Sequence, residues 1–257
     1  MGRLKSLLKP IIPTFALDAY QKLQLAQMHR RNRTRSSEAV FTEIYANNLW
    51  GGDKGTYSSG SGSRDAAVVE AYVACMRREL ERLGSASMTV VDLGCGDYKI
   101  GSQLSPCCGR YIGVDVVRGL VARNNEMFSS ESVTFRHLDI VNEDLPDGDV
   151  CFVRQVLQHL SNDQIRSVLP KLGKYKWCFI TEHHPSVNRL IQRNLDKPHG
   201  KDIRVDCGSG VFLDSPPFSL DPRALRLVLE VPAGEDHEDV DSGVIRTFAL
   251  ETSSPSQ

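Results

Sequence analysis

Residues 89–97 read Thr-Val-Val-Asp-Leu-Gly-Cys-Gly-Asp, an apolar, β-branched run that stops at a Gly-x-Gly turn. Such a run is typical of a buried parallel strand, because alternate residues on both faces of the strand are apolar. The two glycines let the chain turn sharply and bring bare backbone close to a nucleoside ligand. The stretch therefore predicts an α/β fold with a ligand site at the end of its first strand.

A dinucleotide-binding turn would carry a third glycine at position 99, where this chain has Lys99. Asp92 and Asp97 also bracket the turn, whereas a phosphate group prefers hydrogen-bond donors and positive charge. The turn therefore favours a ligand without phosphate, and a ligand that carries positive charge would suit it.

Three further apolar runs each end at a polar residue, namely Asp115, Asp139 and Arg154. Asp115 lies about 20 residues beyond the glycine turn, a spacing at which a carboxylate reaches ribose hydroxyls. Because open parallel sheets bind ligands at the carboxyl ends of their strands, we expect these side chains to share one site.

The order of these motifs resembles that of the class I S-adenosylmethionine-dependent methyltransferases, and the likeness covers about residues 66–251. It rests on Val-Asp-Leu-Gly-Cys-Gly-Asp, Gly-Val-Asp, Leu-Asp-Ile and Val-Leu-Gln-His-Leu-Ser, which follow one another along the chain. The resemblance implies a Rossmann-like, mostly parallel seven-stranded sheet with helices on both faces, plus an N-terminal helical and loop extension. It also implies S-adenosyl-L-methionine as cofactor and S-adenosyl-L-homocysteine as product.

The same resemblance assigns roles around the cofactor. Asp115 would hold the ribose, Asp139 with Leu138 or Ile140 would border the adenine, and Asp92 and Asp97 would lie near the amino group. The full set of cofactor-binding residues that it implies in this part of the chain is Asp92, Gly94, Cys95, Gly96, Asp97, Asp115, Val116, Leu138, Asp139, Ile140 and Arg154.

The chain is also similar to a bacterial subgroup of this family that is often found with glycan-assembly proteins. That subgroup carries Ile-Tyr, Trp-Gly and Ser-Gly-x-Gly-Ser segments before its core, and this chain has them at residues 44–45, 50–51 and 59–63. The likeness implies that Tyr45, Trp50 and Ser61 belong to a loop over the cofactor; alternatively, Trp50 anchors the extension to the core. The subgroup has Arg-Asp where this chain has Arg154 and Gln155, so no role for an acid at position 155 is carried over.

Histidines near the ends of the fourth and fifth predicted strands are candidates for a general base, because histidine titrates near neutral pH. We predict His159 and His183 in this role, with Glu182 as a reserve, although His159 could instead fix the turn after its strand. Residues 185–218 form a long polar insertion, in which Asn194, Asp196 and Arg204 are candidate acceptor ligands. Their alternative role is loop capping.

No metal site is predicted. Asp139 and Asp196 could hold a divalent ion, but no compact ligand spacing demands one. The seven cysteines are an odd set without Cys-x-x-Cys spacing, and we interpret them as reduced thiols.

The length of 257 residues and the hydrophobic share of 40% fit one globular core. We place a basic N-terminal extension with the cofactor-covering loop at residues 1–63 and the methyltransferase domain at residues 64–257. Neither a membrane-spanning run nor a secretory signal is evident, so we expect a cytoplasmic protein.

The net charge is −1, yet in residues 1–35 Lys and Arg far outnumber the single acid Asp18. Apolar residues recur there at mostly helical spacing, interrupted by Pro10 and Pro13. Such a segment could lie on an anionic membrane surface, dock on a partner or pack on its own domain. Nucleic acid is not expected as a partner, because few aromatic residues interleave the basic ones.

The family resemblance implies a methyltransferase, and the likeness to the glycan-associated subgroup implies that it acts on an oxygen atom of a saccharide or glycolipid intermediate. The alternatives are a small-molecule methyltransferase of specialised metabolism and a catalytically silent scaffold that binds S-adenosylmethionine. The oligomeric state is left open.

Overall fold

The computed structural model describes residues 14–52, 55–233 and 243–252. Within them, seven strands form one sheet in the order β3-β2-β1-β4-β5-β7-β6. The strands are β1 (Thr89–Leu93), β2 (Arg110–Asp115), β3 (Val133–His137), β4 (Val150–Arg154), β5 (Trp177–His184), β6 (Leu225–Pro232) and β7 (Val244–Glu251). The first five are parallel, whereas β7 runs antiparallel between β5 and β6. The predicted Rossmann-like, mostly parallel seven-stranded fold is confirmed.

The helices of the described residues are α1 (Thr14–Asn32), α2 (Ser37–Ala46), α3 (Ala66–Leu83), α4 (Gly101–Leu104), α5 (Arg118–Phe128) and α6 (Asn162–Val168). The Asp65 side chain caps α3 by accepting the Val68 N–H, and Gly84 ends the helix in a left-handed conformation. Ser161 and Gln164 form a capping box at the start of α6.

Neighbouring residues of each strand point to opposite sides of the sheet, so the apolar strands give the sheet two apolar faces. Helices cover both of them. In β1, Val91 packs in one apolar cluster with Phe41 of α2, while Val90 packs in a second cluster with Met76 of α3. The core is therefore continuous on each face, and the carboxyl ends of the parallel strands are left to form a site.

Strand β5 includes the two histidines that the sequence places near its end. Antiparallel pairing with β7 extends through His184 opposite Val244, so His183 and His184 lie within the strand and not after it. The two histidines consequently point to opposite faces of the sheet.

The basic amphipathic pattern predicted near the N-terminus falls largely on residues 1–13, which lie outside the described residues. The proposed boundary between extension and domain near residue 63 stays a prediction. In the part of the chain that is described, no helix is long and apolar enough to cross a membrane.

Candidate active site

A cavity of about 340 Å³ opens at the carboxyl ends of β1, β2, β4 and β5. The predicted site residues that line it are Tyr45, Trp50, Asp92, Gly94, Cys95, Gly96, Asp97, Asp115, Val116, Leu138, Asp139, Ile140, Arg154, His159 and His183. Ser61 begins the short 3₁₀-helix Ser61–Ser63, in which Gly62 and Ser63 line the same cavity. Residues far apart in sequence thus meet at one edge of the sheet.

The glycine turn brings backbone to the cavity surface. Gly94 and Gly96 have φ angles of 75° and 55°, which side chains rarely adopt. A Cβ atom on Gly94 would lie 2.5 Å from a methyl carbon of Val156, and one on Gly96 would lie 2.2 Å from Ser59 Oγ. Both positions therefore require glycine for conformation and for space.

Asp115 presents a buried carboxylate at the end of β2. It accepts hydrogen bonds from the Gly96 N–H at 3.2 Å and the Val117 N–H at 2.9 Å, and only 8% of its surface is exposed. Burial raises the pKa of Asp115 to about 6. Because an ionised carboxylate accepts about four hydrogen bonds, it retains capacity for donors of a ligand in the cavity.

Asp92, at the other side of the turn, is also buried, and its carboxylate accepts a 2.5 Å hydrogen bond from the Tyr111 hydroxyl. Burial raises the pKa of Asp92 to about 6. Two carboxylates at one cavity give it an acidic lining, which suits a ligand that carries positive charge.

Ser59 fastens the loop of residues 59–63 to the glycine turn. Its N–H donates to Asp97 Oδ2 at 3.3 Å, its Oγ accepts from the Asp97 N–H at 2.9 Å, and the Tyr45 hydroxyl lies 3.4 Å from the same Oγ. This loop therefore lines the cavity together with Tyr45.

Arg154 fastens the other end of the same loop. Its guanidinium donates to the Gly62 carbonyl at 2.6 Å and to Ser63 Oγ at 3.3 Å, and it lies 4.9 Å from the centre of the Tyr72 ring. The Nε atom of Arg154 has no hydrogen-bond partner among the described residues. Since Arg154 also lines the cavity, it is a candidate donor to an anionic group of a ligand.

Trp50 both lines the cavity and anchors the extension, the two roles that the sequence left open. Its ring packs against Phe41, Tyr45 and His159, with centroid distances of 6.0, 5.1 and 5.0 Å. Its Nε1–H donates to the Lys201 carbonyl at 3.2 Å. Trp50 therefore joins α2 to the insertion at the cavity wall.

His159 is held on both ring nitrogens. A carbonyl can only accept, so Nδ1, which is 3.1 Å from the Gly200 oxygen, carries the proton. The Gln158 amide nitrogen is 3.5 Å from Nε2 and donates to it. Burial lowers the pKa of His159 to about 4.

His183 and His184 have different surroundings, because successive side chains of a strand point to opposite faces of the sheet. His183 lines the cavity. His184 is buried on the other face, with its ring centroid 5.0 Å from that of Phe212 and 6.2 Å from that of Phe248. Burial lowers the pKa of His184 to about 3, so this ring is neutral.

Glu182, the predicted reserve base, lies outside the cavity lining. Its two oxygens accept the Leu157 N–H at 2.8 Å and the Gln158 N–H at 3.0 Å. Burial raises the pKa of Glu182 to about 8. This placement gives Glu182 the role of holding the turn after β4.

The predicted acceptor ligands hydrogen-bond to main-chain groups of the insertion and of residues 160–162, and they do not line the cavity. The Asn194 amide donates to the carbonyls of residues 212, 215 and 216, and Asp196 accepts the Asn162 N–H at 2.8 Å. Arg204 is buried and donates to the carbonyls of Leu160 and Leu195. The structure favours the capping alternative for these residues.

The insertion reaches the cavity through Lys201, Ile203 and Asp206, which sequence reasoning missed. Lys201 follows Gly200, whose N–H donates to the His159 carbonyl at 3.0 Å. No local signal marks these residues, since their position depends on contacts with distant segments. Gln155, noted as a departure from the subgroup, also lines the cavity with a φ of 55°.

No group of three or more His, Cys, Asp or Glu residues with metal-site geometry occurs in the ranges that the structure describes. In those ranges Asp139 caps its own loop, where its carboxylate accepts the Val141 N–H at 2.9 Å and the Asn142 amide at 2.8 Å.

Comparison with known proteins agrees with this geometry. Residues 90–175 match the model of a methyltransferase domain family. Magnesium protoporphyrin IX methyltransferase from Synechocystis PCC 6803, solved with S-adenosylmethionine bound, is similar at 13% identity with a TM-score of 0.54, covering 86% of this chain and 99% of that chain. TehB from Haemophilus influenzae is similar at 13% identity with a TM-score of 0.50, covering 70% and 62%. A search of curated protein sequences finds no match.

The matched segment contains the glycine turn, Asp115, Asp139 and His159, and the likeness to solved structures shows the fold. Residues 90–175 therefore resemble a methyltransferase domain, in a fold similar to that of the solved methyltransferases. The cofactor that the sequence resemblance implies is S-adenosyl-L-methionine. The cavity fits this cofactor, because it offers bare glycine backbone and buried carboxylates to a nucleoside that bears positive charge.

Proposed function

We propose that this protein methylates an oxygen atom of a saccharide or glycolipid intermediate. The observation that carries the proposal is that the glycine turn, the Asp115 carboxylate and two histidines line one cavity. When bound there, the cofactor supplies a methyl group on a positively charged sulfur.

Each binding role follows from what the side chain can donate or accept. The open lone pairs of Asp115 accept the ribose hydroxyls, and Leu138 and Ile140 provide apolar surface beside the adenine. The acidic lining at Asp92 suits the amino group and the sulfonium, and the Arg154 guanidinium suits the carboxylate.

His183 is the base that we propose for a hydroxyl acceptor. A base works best when its pKa lies near the working pH, and the pKa of His159 of about 4 is far below it. Both ring nitrogens of His159 are also engaged, so its role is to hold the insertion against the cavity. His183 lies on β5, on the side of the sheet away from the adenine-binding strands β2 and β3.

The residues that line the cavity differ in polarity. Gln155, Lys201 and Asp206 offer hydrogen-bonding groups that suit a polyol, and they support the saccharide assignment. Val68, Ala233 and Ile245 form a small apolar cluster at the same cavity. The apolar cluster suits the lipid part of a glycolipid, and it also favours a second candidate, a methyltransferase that acts on an apolar small molecule.

The test is incubation of the full chain with methyl-labelled S-adenosylmethionine and separate glycan, glycolipid and small-molecule extracts. Label is expected in the glycan or glycolipid fraction, and it should resist mild alkali, because methyl ethers are stable where methyl esters are hydrolysed. Label confined to the small-molecule fraction would support the second candidate. If calorimetry shows cofactor binding but no fraction takes up label, the protein is a silent scaffold and the proposal fails.

Two matched variants test the base. His183→Asn is expected to lower kcat by about 10²-fold or more while leaving the affinity for the cofactor unchanged, as loss of a general base does. His159→Asn is expected to weaken packing at the cavity wall and to change KM more than kcat. Equal losses of kcat in both variants would contradict the assignment of His183.

A further inference from the structure

The insertion carries an exposed lobe, residues 186–193, that the cavity does not use. The lobe begins directly after Pro185, which follows the cavity strand β5, and Ser186 and Leu190 are its half-buried members. Val187 and Ile191 are 88% and 83% exposed, the most exposed large apolar side chains among the described residues. Single exposed apolar residues are common on protein surfaces. Two aliphatic side chains that are four residues apart and both exposed instead indicate a contact surface.

The protein holds this lobe in place. The N–H groups of Ile191 and Gln192 donate to the Gly208 carbonyl at 2.8 and 3.3 Å. A Cβ atom on Gly208 would lie 2.8 Å from two carbon atoms of Ile191, so the glycine leaves the space that Ile191 requires. Gly208 lies two residues after Asp206, which lines the cavity, so the lobe is attached to the cavity wall.

The charge of the lobe is positive. Residues 185–195 contain Arg189 and Arg193 and no acidic residue, and both arginines are exposed. Arg193 also lies 3.5 Å from Asp214, which offsets part of its charge. Positive charge beside exposed aliphatic groups is complementary to an anionic lipid surface.

The basic end of α1 contacts another part of the same insertion. His29 lies 3.0 Å from Asp202, and the Asn32 amide donates to the His199 carbonyl at 3.0 Å, so α1 ends against the insertion. Arg30 and Arg33 at that end are exposed.

The small apolar area argues against a protein partner. A stable protein interface buries about 800 Å² on each side and has a well-packed apolar centre. Two aliphatic side chains on a narrow lobe offer much less, whereas insertion of such side chains between lipid headgroups needs no flat surrounding surface.

We infer that residues 186–193 dock the protein on an anionic lipid bilayer, with Val187 and Ile191 inserted at the headgroup level. This docking brings the cavity wall at Asp206 toward the membrane surface. The inference does not depend on methyl transfer, and its test uses neither cofactor nor acceptor.

The experiment is sedimentation of the full chain with vesicles of phosphatidylcholine, alone or mixed with phosphatidylglycerol. The chain is expected to pellet with the anionic vesicles, to release as salt is raised, and to pellet weakly with the neutral ones. The double variant Val187→Ser with Ile191→Ser should lower the partition coefficient by roughly tenfold for each side chain. The matched control is Met127→Ser, which removes an exposed apolar side chain of α5 and should change partition by less than about twofold.

Three outcomes would overturn the inference. The chain could stay in the supernatant, or the double variant could pellet as well as the unchanged chain, which would move any membrane contact to the basic N-terminus. A concentration-dependent dimer in analytical ultracentrifugation that the double variant abolishes would instead assign the lobe to a second copy. An unchanged melting temperature shows that the variants are folded.

Discussion

Replacing Asp115 by asparagine removes one charge from the cavity with almost no change in shape. The carboxylate accepts two main-chain N–H groups and, in our proposal, the two ribose hydroxyls of the cofactor. An asparagine amide has one oxygen, and its NH₂ group would face a donor. The variant therefore loses acceptor capacity both toward the main-chain N–H groups and toward the ribose hydroxyls.

The expected effects on binding and stability differ. Hydrogen bonds to a charged group contribute about 1.5–3 kcal/mol, so loss of one toward the ribose weakens cofactor binding by roughly 10- to 100-fold. In the empty protein, burial raises the pKa of Asp115 from 3.8 to about 6, which corresponds to a cost of about 3 kcal/mol for the ionised form. Asparagine carries no charge, so the variant avoids the free-energy cost of burying an ionised group. It also loses one main-chain hydrogen bond, so the net change in stability above pH 6 is small.

Isothermal titration of S-adenosylhomocysteine and thermal melting measure the two effects separately. Asp163→Asn is the matched control, because Asp163 is exposed on α6 and away from the cavity. We expect a Kd raised by at least about tenfold for Asp115→Asn alone, with a melting temperature within a few degrees. A Kd within about twofold of the unchanged chain, in a folded variant, would refute the role of this carboxylate in ribose binding.

Four further outcomes are expected. Cofactor affinity should fall as pH drops through about 6, because protonation of Asp115 removes the acceptor that binding requires; a Kd constant between pH 5 and pH 8 would contradict this. Gly96→Ala should weaken cofactor binding by about tenfold or more, since the left-handed conformation costs a side chain about 1–2 kcal/mol and the new Cβ would displace Ser59. Arg154→Lys should speed proteolysis within residues 55–63, because a single ammonium group replaces the guanidinium that binds the Gly62 carbonyl; an unchanged cleavage rate would count against that contact. Glu182→Gln should keep kcat within about twofold at pH 7. In urea titrations the unchanged chain should lose stability as pH rises from 4.5 to about 8, because Glu182 ionises first in the unfolded chain. The variant should lack this loss.

The strands and the cavity could be predicted because glycine and alternation constrain the backbone strongly. Gly96 lies three residues after the buried apolar strand β1 and adopts a φ of 55°. A Gly-x-Gly pair at the end of such a strand is typical of a ligand-binding turn. Asp115 was then placed by spacing alone, because β2 is parallel to β1 and both end at the same edge of the sheet. The roles of these residues toward the cofactor remain predictions that the variants above test.

The acceptor side could not be predicted from residue type. Asn194 has a φ of 53°, and its amide donates to carbonyls of its own loop. The same residue type could equally hydrogen-bond to a sugar ligand. A buried loop must satisfy its own main chain first, so polar side chains in an insertion favour capping. Lys201 reached the cavity instead, because Gly200 pairs with His159 in a segment that is distant in sequence.

Which histidine faces the acceptor depends on the register of the sheet and not on the histidines themselves. Thr181 of β5 pairs with Thr247 of β7, and their fully buried hydroxyl groups form a 2.9 Å hydrogen bond. A shift of one residue would break that bond and would turn every side chain of β5 to the other face. His183 would then enter the apolar layer that holds His184, and it would leave the cavity. The position of the proposed base is therefore fixed by two threonines that do not line the cavity.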